Sequence, residues 1–275
     1  MYMDLIRRDR LPHIWCRGCG IGTVLKCLLR AISDRDPEKI VLVSGIGCSG
    51  RAGGYVFADS IHTPHGRAIP IATGIKLSNP DLDVIVFSGD GDLVAIGGNH
   101  LIHAARKNID VTCICINNGI FAMTGGQMAP TTPSGAITKT TPYGNTASKI
   151  DIAKLVVASG ANYVARWTTY HANDITKSIK KALDKEGFRF IEVLTQCPTV
   201  FGVYNLMPEG YEAMRWYKEN SVRIEKIKEE KEPSLRLEEK IIIGEFADRD
   251  RHGLVREFRE RIQMLRWMEI AKKRG

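Results

Sequence analysis

A Gly-Asp-Gly-Asp segment and a later Asn-Asn pair are the residues of this chain whose types and spacing best fit chemistry. Gly89-Asp90-Gly91-Asp92 follows the apolar run Asp83–Phe87, which predicts a buried strand. Asn118 comes 28 positions after Asp90, just past a second predicted strand, Val111–Ile116. Parallel strands deliver the residues that follow them to one edge of a sheet, where open α/β proteins bind ligands. We therefore expect these oxygen-bearing side chains to meet.

Oxygen ligands in this arrangement fit a hard cation. Mg²⁺ is usually held by one or two protein groups together with phosphate oxygens. Gly89 and Gly91 allow backbone N–H groups and a helix N-terminus to approach a diphosphate. Gly-Asp-Gly alone is equally typical of a turn, and it is the Asn117-Asn118 pair that favours a metal–diphosphate site.

The seven cysteines fall into two groups. Four lie in predicted loops near strand ends: Cys16, Cys19, Cys48 and Cys197. Four thiolates from such loops bind either Zn²⁺ or a 4Fe–4S cluster, and the Cys-x-x-Cys turn alone is also typical of a zinc knuckle or a redox dithiol. The other three occupy apolar positions of a helix and a strand and are predicted to pack in the core: Cys27, Cys113 and Cys115.

The surrounding elements alternate between strand and helix. Strands are predicted at 39–44, 83–87, 111–116, 163–166 and 190–194, and helices at 23–33, 71–77, 93–107, 148–159 and 171–186. This order predicts an α/β fold with a doubly wound, mostly parallel sheet. A loop over 119–143 is rich in Gly, Pro and Thr, and loops of this length are usually functional or disordered.

The C-terminal part differs in composition from the rest of the chain. We predict a cofactor-binding domain over residues 1–210 and a charged helical extension over 211–275, with helices at 226–231 and 256–274. A solvated helix pair is the simplest interpretation of these charges. Four apolar residues favour a partner-facing extension instead: Trp216, Leu265, Trp267 and Met268.

Composition excludes several function classes. No apolar run reaches the roughly 18 residues of a membrane helix, and Met1–Arg10 lacks the apolar core of a secretion signal. Together with the free-cysteine pattern this predicts a cytoplasmic protein without a membrane partner. The net charge of +8 accompanies no nucleic-acid-binding motif, which argues against a nucleic-acid partner. Gly45-x-Gly47-x-x-Gly50 matches the dinucleotide fingerprint only in isolation, because no helix pattern or acidic residue follows it as that fingerprint requires.

Taken together, the motifs resemble a known family. Gly-Asp-Gly followed by Asn-Asn resembles the thiamine-diphosphate motif of the transketolase and pyruvate-decarboxylase group. The wider set resembles the β subunits of the 2-oxoacid:ferredoxin oxidoreductases, most of all the 2-oxoglutarate enzyme, over about residues 13–202. The motifs that carry this resemblance are Trp15-Cys16-x-Gly18-Cys19-Gly20, Gly45-Ile46-Gly47-Cys48-Ser49, His62-Thr63-x-His65-Gly66-Arg67, Gly89-Asp90-Gly91-Asp92, Asn117-Asn118, Met123-Thr124-Gly125-Gly126-Gln127 and Cys197-Pro198-Thr199.

The resemblance implies a role for each matching residue. It implies a 4Fe–4S cluster on Cys16, Cys19, Cys48 and Cys197, and Mg²⁺ on the side chains of Asp90 and Asn118 and the carbonyl of Ile120. It implies thiamine diphosphate lined by Ile46, Gly47, Cys48, Ser49, His65, Gly91, Asp92, Met123 and Thr124. The Glu that activates this cofactor is expected on a separate α subunit, so no catalytic residue is assigned on this chain.

The family's reaction is oxidative decarboxylation of a 2-oxoacid with coenzyme A. For 2-oxoglutarate the products are succinyl-CoA and CO₂, and the electrons pass through the cluster to ferredoxin. The implied partners are the α subunit, ferredoxin, the 2-oxoacid and coenzyme A, and further small subunits stay open. Pyruvate or a broad range of 2-oxoacids is the nearest alternative. A non-oxidative thiamine-diphosphate lyase or synthase, which would need no cluster, and a zinc-stabilised binding module are the others.

Overall fold

The computed structural model of the chain describes residues 2–227 and 240–274, with side chains to residue 266. Its ten strands, in chain order, are β1 Ile40–Ser44, β2 Asp59–His62, β3 Asp83–Gly89, β4 Thr112–Asn117, β5 Ile120–Phe121, β6 Gln127–Met128, β7 Tyr163–Thr168, β8 Arg189–Leu194, β9 Ser221–Arg223 and β10 Ile241–Asp248. Its α-helices are α1 Ile21–Ala31, α2 Ala68–Ser78, α3 Gly98–Lys107, α4 Ile152–Ala158, α5 Ala172–Leu183, α6 Gly210–Asn220 and α7 Leu254–Arg274.

Eight of these strands form one sheet in the order β2-β1-β3-β4-β8-β7-β10-β9. The first six strands in this order, from β2 through β1, β3, β4 and β8 to β7, are parallel to one another. Strand β10 pairs antiparallel to β7. The remaining two, β5 and β6, form a short hairpin after β4. The predicted doubly wound, mostly parallel α/β sheet is therefore confirmed.

Two apolar layers cover the faces of the sheet. Helices α1 and α5 pack on one face, and α2, α3 and α4 on the other. Side chains of β4 alternate between these layers, because successive residues of a strand point to opposite faces. Ile114 and Ile116 join the first layer, while Cys113 and Cys115 join the second. Cys113, Cys115 and Cys27 are buried, as predicted for core cysteines.

The predicted helix over 93–107 is interrupted. A π-helical turn spans Gly91–Ile96, and α3 begins only at Gly98. The Gly97 N–H donates to the Asp92 carbonyl at 3.0 Å, and a Cβ on Gly97 would lie 2.7 Å from that oxygen. This wider turn follows directly on Asp90, where the chain leaves β3.

Residues beyond 210 extend the sheet of the preceding domain. Strand β10 pairs with β7 through Gly244 opposite Arg166 and Asp248 opposite Tyr163, and β9 pairs with β10. The predicted boundary at 210 thus divides strands of one sheet, and the extension contains strands as well as helices α6 and α7. Antiparallel pairing between residues so distant in sequence leaves no local pattern, which is why the sequence did not predict it.

Part of the C-terminal prediction cannot be compared with the structure. Residues 228–231 of the predicted helix and the side chains of Trp267 and Met268 lie outside the described residues. The prediction that the extension faces a partner subunit stays a prediction. In the described ranges 2–227 and 240–274, no helix combines the length and apolar character needed to span a bilayer.

Candidate metal and cofactor site

A cleft opens where β1, β3 and β4 end at the carboxyl edge of the sheet. Its empty volume is about 570 Å³. All nine residues predicted to line the cofactor and all three predicted to hold Mg²⁺ line this cleft: Ile46, Gly47, Cys48, Ser49, His65, Asp90, Gly91, Asp92, Asn118, Ile120, Met123 and Thr124. The structure therefore brings the two predicted sets together.

Three oxygen-bearing groups converge at one end of the cleft. One terminal atom of the Asn118 amide lies 2.8 Å from the Ile120 carbonyl oxygen and 3.2 Å from Asp90 Oδ1. With its oxygen in that position, three acceptors face one another, an arrangement that a bound cation would satisfy. With the amide turned by 180°, its nitrogen would donate to both oxygens instead. Octahedral Mg²⁺ with bonds of about 2.1 Å separates adjacent oxygens by about 2.9 Å. The 2.8 and 3.2 Å distances from the Asn118 amide to the other two groups are close to that spacing.

Asp90 is the charged member of this group. Its side chain is buried, and burial raises the pKa of its carboxyl to about 6, although bonds from Thr131 and from backbone N–H groups work in the opposite direction. The Thr131 hydroxyl donates to Asp90 Oδ2. A buried carboxylate that is short of compensating charge gains free energy when a cation binds beside it.

Asp92, two residues after Asp90, also lines the cleft, but its carboxylate oxygens are taken up by hydrogen bonds to neighbouring loops. Its Oδ1 accepts from the N–H groups of Gly66 at 2.8 Å and Ile46 at 3.2 Å, and its Oδ2 accepts from Ser88 Oγ at 2.7 Å. His65 Nδ1 lies 2.6 Å from Asp92 Oδ1, but its orientation does not satisfy hydrogen-bond geometry. Asp92 thus ties the loops at Ile46 and Gly66 to the end of β3.

Gly45 gives a test of this arrangement. A Cβ at Gly45 would lie 2.1 Å from both Asp92 Oδ2 and Ser88 Oγ. We expect Gly45→Ala to break the Ser88–Asp92 bond and to lower the free energy of unfolding by about 2 kcal/mol or more. Chemical denaturation measures this loss. Gly54→Ala is the matched control, because a Cβ at Gly54 would meet nothing within 4 Å and its change should stay within about 0.5 kcal/mol. Equal stabilities of the two variants would contradict the expectation.

The four predicted cluster cysteines lie in three loops that hydrogen bonds hold together. The Cys19 N–H donates to the Cys16 carbonyl at 3.0 Å, which closes the Cys-x-x-Cys turn. Trp15 Nε1 donates to the Cys48 carbonyl at 2.7 Å. The next link runs from the N–H of Gly20 to the carbonyl of Gln196, the residue before Cys197, at 3.1 Å.

The thiols are close enough to influence one another electrostatically. Burial, opposed by a backbone hydrogen bond from Ile21 and reinforced by the three other thiols, raises the pKa of Cys19 to about 12. Burial, then Cys197 and Cys16, raise the pKa of Cys48. Within the part of the chain that the structure describes, no three His, Cys, Asp or Glu side chains stand close enough together to ligate one metal ion. The four thiols are therefore near one another, but not close enough in this structure to ligate one ion.

A second cleft, which the sequence did not predict, adjoins the first across Asn118. Its empty volume is about 1180 Å³, and its wall includes Cys197, Tyr217 and a buried ionic network. In this network Arg166 Nε lies 2.7 Å from Glu192 Oε2, and Arg166 also pairs with Asp151. Arg166 and Glu192 stand within predicted strands, so the one available signal was a charge at a strand position of a buried sheet.

Known proteins that resemble this chain share this cleft-bearing region. The family model described as "Thiamine pyrophosphate enzyme, C-terminal TPP binding domain" matches residues 45–193. The 2-oxoglutarate synthase subunit KorB of Methanocaldococcus jannaschii is 51% identical over 96% of this chain and 98% of its own length. The same subunit of Methanothermobacter thermautotrophicus is 55% identical over 90% of this chain and 87% of its own length.

This chain belongs to the β-subunit family of the 2-oxoacid:ferredoxin oxidoreductases. A solved structure supports the same family: the chain superposes on 2-oxoglutarate:ferredoxin oxidoreductase from Magnetococcus marinus with a TM-score of 0.84 and 31% identity, covering 96% of this chain and 90% of that one. That structure contains 2-oxoglutarate, coenzyme A and succinyl-CoA. The thiamine-diphosphate fold and the resemblance described from the sequence are therefore confirmed, and the chain is one subunit of a multi-subunit oxidoreductase.

Proposed function

We propose that this β subunit holds thiamine diphosphate, Mg²⁺ and a 4Fe–4S cluster in a 2-oxoglutarate:ferredoxin oxidoreductase. The reaction converts 2-oxoglutarate, coenzyme A and two oxidised ferredoxins to succinyl-CoA, CO₂, a proton and two reduced ferredoxins. The convergence of Asp90, Asn118 and the Ile120 carbonyl in the cleft carries this proposal. The names of the relatives favour 2-oxoglutarate as the acid.

The metal end of the cleft is assigned to Mg²⁺ and the cofactor diphosphate. Asp90 would supply the negative charge, and Asn118 and Ile120 the neutral oxygens. The π-helical turn starts at Gly91, directly after Asp90, and free backbone N–H groups at the start of this turn would suit phosphate oxygens. When bound, thiamine diphosphate supplies the group that stabilises the negative charge left on the substrate carbon as CO₂ departs. His65, Met123 and Thr124 would line its remaining surface.

The cysteine loops are assigned to the cluster. Cys48 lines the cofactor cleft and Cys197 lines the neighbouring one, so a cluster on these residues would lie between the two clefts. Four thiols are the donor set that 4Fe–4S clusters use, and a cluster beside the cofactor can accept electrons one at a time. Seven free cysteines in one chain also favour a reducing compartment, and a cytoplasmic location is part of the proposal.

Partner subunits complete the site in this proposal. The α subunit supplies the activating Glu, and the described residues that line the cleft include no glutamate. Exposed apolar side chains fit such a contact: Met123 in the cleft wall is 47% exposed, and elsewhere on the surface Tyr143 and Leu206 are 101% and 90% exposed. The net charge of +8 fits the steering of an acidic ferredoxin, so its reduction should slow as salt is raised. If the rate of ferredoxin reduction did not change with ionic strength, the proposed electrostatic steering of ferredoxin would be wrong.

The proposed activity is tested with the complex purified anaerobically with its partner subunits. Ferredoxin reduction is followed with coenzyme A, thiamine diphosphate, Mg²⁺ and a panel of 2-oxoacids. We expect kcat/KM for 2-oxoglutarate to exceed that for pyruvate by about 100-fold, the size of effect expected when a hydrogen bond to a charged group of the substrate is lost. A comparable kcat/KM for pyruvate would shift the assignment to a broad-range enzyme. No reduction with any 2-oxoacid would refute the proposal.

A further inference from the structure

Asn117, the neighbour of the proposed Mg²⁺ ligand Asn118, faces away from the cofactor cleft. Its Nδ2 donates to Glu192 Oε1 at 2.7 Å, and its Oδ1 accepts from the Gly119 N–H at 3.1 Å. It therefore connects strand β8 to the tight turn that carries Asn118 and Ile120. Asn117 lies at the end of β4 and is buried.

Glu192 has no contact with the cofactor cleft and is almost completely buried. Its Oε2 accepts from Arg166 Nε at 2.7 Å, and its Oε1 takes the Asn117 bond. Arg166 is fixed in turn by Asp151, whose carboxylate also accepts from the Lys154 N–H at 3.1 Å at the start of α4. A continuous series of charge-assisted hydrogen bonds thus runs from the start of α4 through β7 and β8 to the Asn118 turn.

The positions of donors and acceptors along this series allow only one orientation of the Asn117 amide. Glu192 accepts at both oxygens, so the Asn117 amide must present its nitrogen to β8 and its oxygen to Gly119. If the amide were reversed, its nitrogen would face the Gly119 N–H, and the bond that closes the turn would be lost. The orientation of the Asn118 turn therefore depends on the type of residue at position 192.

We propose that Glu192, held by Arg166 and Asp151, is a positioning residue for the Mg²⁺ site and acts through Asn117 on the turn that carries Asn118 and Ile120. Glu192 is not a catalytic residue, because it lines neither the metal end nor the cofactor surface of the cleft. The inference rests on the proposed binding of Mg²⁺ at Asp90, Asn118 and Ile120. It predicts that metal affinity depends on a residue outside the cofactor cleft.

The first test is Glu192→Gln in the complex, stripped of thiamine diphosphate and Mg²⁺. Mg²⁺ is titrated at a fixed thiamine diphosphate concentration, and binding is followed by calorimetry or tryptophan fluorescence. A glutamine gives its oxygen to Arg166 and turns its NH₂ towards Asn117, which reverses the Asn117 amide. We expect the Mg²⁺ concentration at half-saturation to rise about 10-fold, the effect of losing roughly one hydrogen bond. A change of less than about 3-fold would overturn the inference.

A second variant separates positioning from general stability. In Glu192→Gln with Asn117→Asp, the glutamine NH₂ donates to one aspartate oxygen, and the other accepts from the Gly119 N–H. The pair keeps one negative charge, as in the parent protein. We expect half-saturation to return to within about 3-fold of the parent value. If the double variant binds Mg²⁺ no better than the single one, the inference is wrong, and the same measurement decides the matter should the single variant fold poorly.

Two controls complete the design. Arg189→Gln changes another buried charge at the opposite end of β8, where Arg189 bonds Thr112 and the Gly187 carbonyl, and should lower stability without changing Mg²⁺ affinity. Asp90→Asn changes a proposed ligand directly. If Asp90→Asn weakens binding and Glu192→Gln does not, only the positioning role is refuted. If neither weakens binding, the proposed metal site is refuted, and the inference with it.

Discussion

Replacing Asp90 by Asn is expected to remove Mg²⁺-dependent binding of thiamine diphosphate while leaving the chain folded. Asp90 provides the only charge among the three converging groups, so the affinity for Mg²⁺ should fall at least 100-fold, about 2.7 kcal/mol. Titration of Mg²⁺ into the stripped complex at fixed thiamine diphosphate measures this loss. Asp83→Asn is the matched control, because Asp83 begins the same strand at its other end, where it pairs with Arg35 at 2.9 Å.

The stability of the metal-free protein should respond in the opposite direction. The folded pKa of Asp90, about 6, lies above its ordinary value of 3.8, so the native state binds more protons than the unfolded state between these values. Stability of the metal-free protein therefore falls as pH rises from about 4 to 6, and the cost persists above pH 6. Asp90→Asn removes this cost, which is on the order of 3 kcal/mol, and should raise the melting temperature without metal at pH 7.5. If the Mg²⁺ affinity of Asp90→Asn were the same as that of the parent protein, the proposed metal site would be wrong.

The second large effect is expected for Cys197→Ser. A serine hydroxyl does not replace a thiolate ligand at iron, so the iron content should fall from about four atoms per chain to nearly none. Ferredoxin reduction should then fall at least 1000-fold. Thiamine diphosphate and Mg²⁺ should still bind, because Cys197 lies in the neighbouring cleft and not in the cofactor cleft. Iron analysis, visible absorbance and the assay with 2-oxoglutarate give the three readouts.

Cys27→Ser is the control for this experiment. Cys27 is 2% exposed, packs within α1 and donates from Sγ to the Ala172 carbonyl at 3.3 Å, a bond that a serine hydroxyl can also make. It should keep iron, colour and activity. Zinc in place of iron in the parent protein would support the zinc-stabilised module instead. A Cys197→Ser variant that retains its iron would show that this cysteine is not a ligand.

The sequence was sufficient for the parts of the site that lie at strand ends. Asp90 and Asn118 follow two apolar runs, and the geometry of a parallel sheet then requires that they lie at the same edge. The cleft confirms that placement, and the comparisons confirm the family. The roles of these side chains as ligands remain predictions that the variants above test.

The sequence was insufficient where long-range contacts decide the structure. Nothing near Glu192 in the chain shows that its side chain bonds Arg166, 26 positions earlier, and Asn117, 75 positions earlier. In the same way, the short run Ile241–Ile243 lies in a charge-dense region. It belongs to the sheet because it pairs with β9 and because the next residues of β10, from Gly244 to Asp248, pair with β7. Buried ion pairs and antiparallel returns depend on tertiary structure that has no periodic pattern in the sequence.

The hydrogen bonds from Trp15 to Cys48 and from Gly20 to Gln196 also concern the order of assembly during synthesis. Three of the four proposed cluster cysteines lie within the first 48 residues, whereas Cys197 is made only after β8. A growing chain therefore offers an incomplete set of thiols for most of its translation. If the cluster is built on these residues, iron insertion is a late event. The Trp15–Cys48 bond can then hold the early loops together during translation, whereas the Gly20–Gln196 bond forms only when the segment that carries Cys197 arrives.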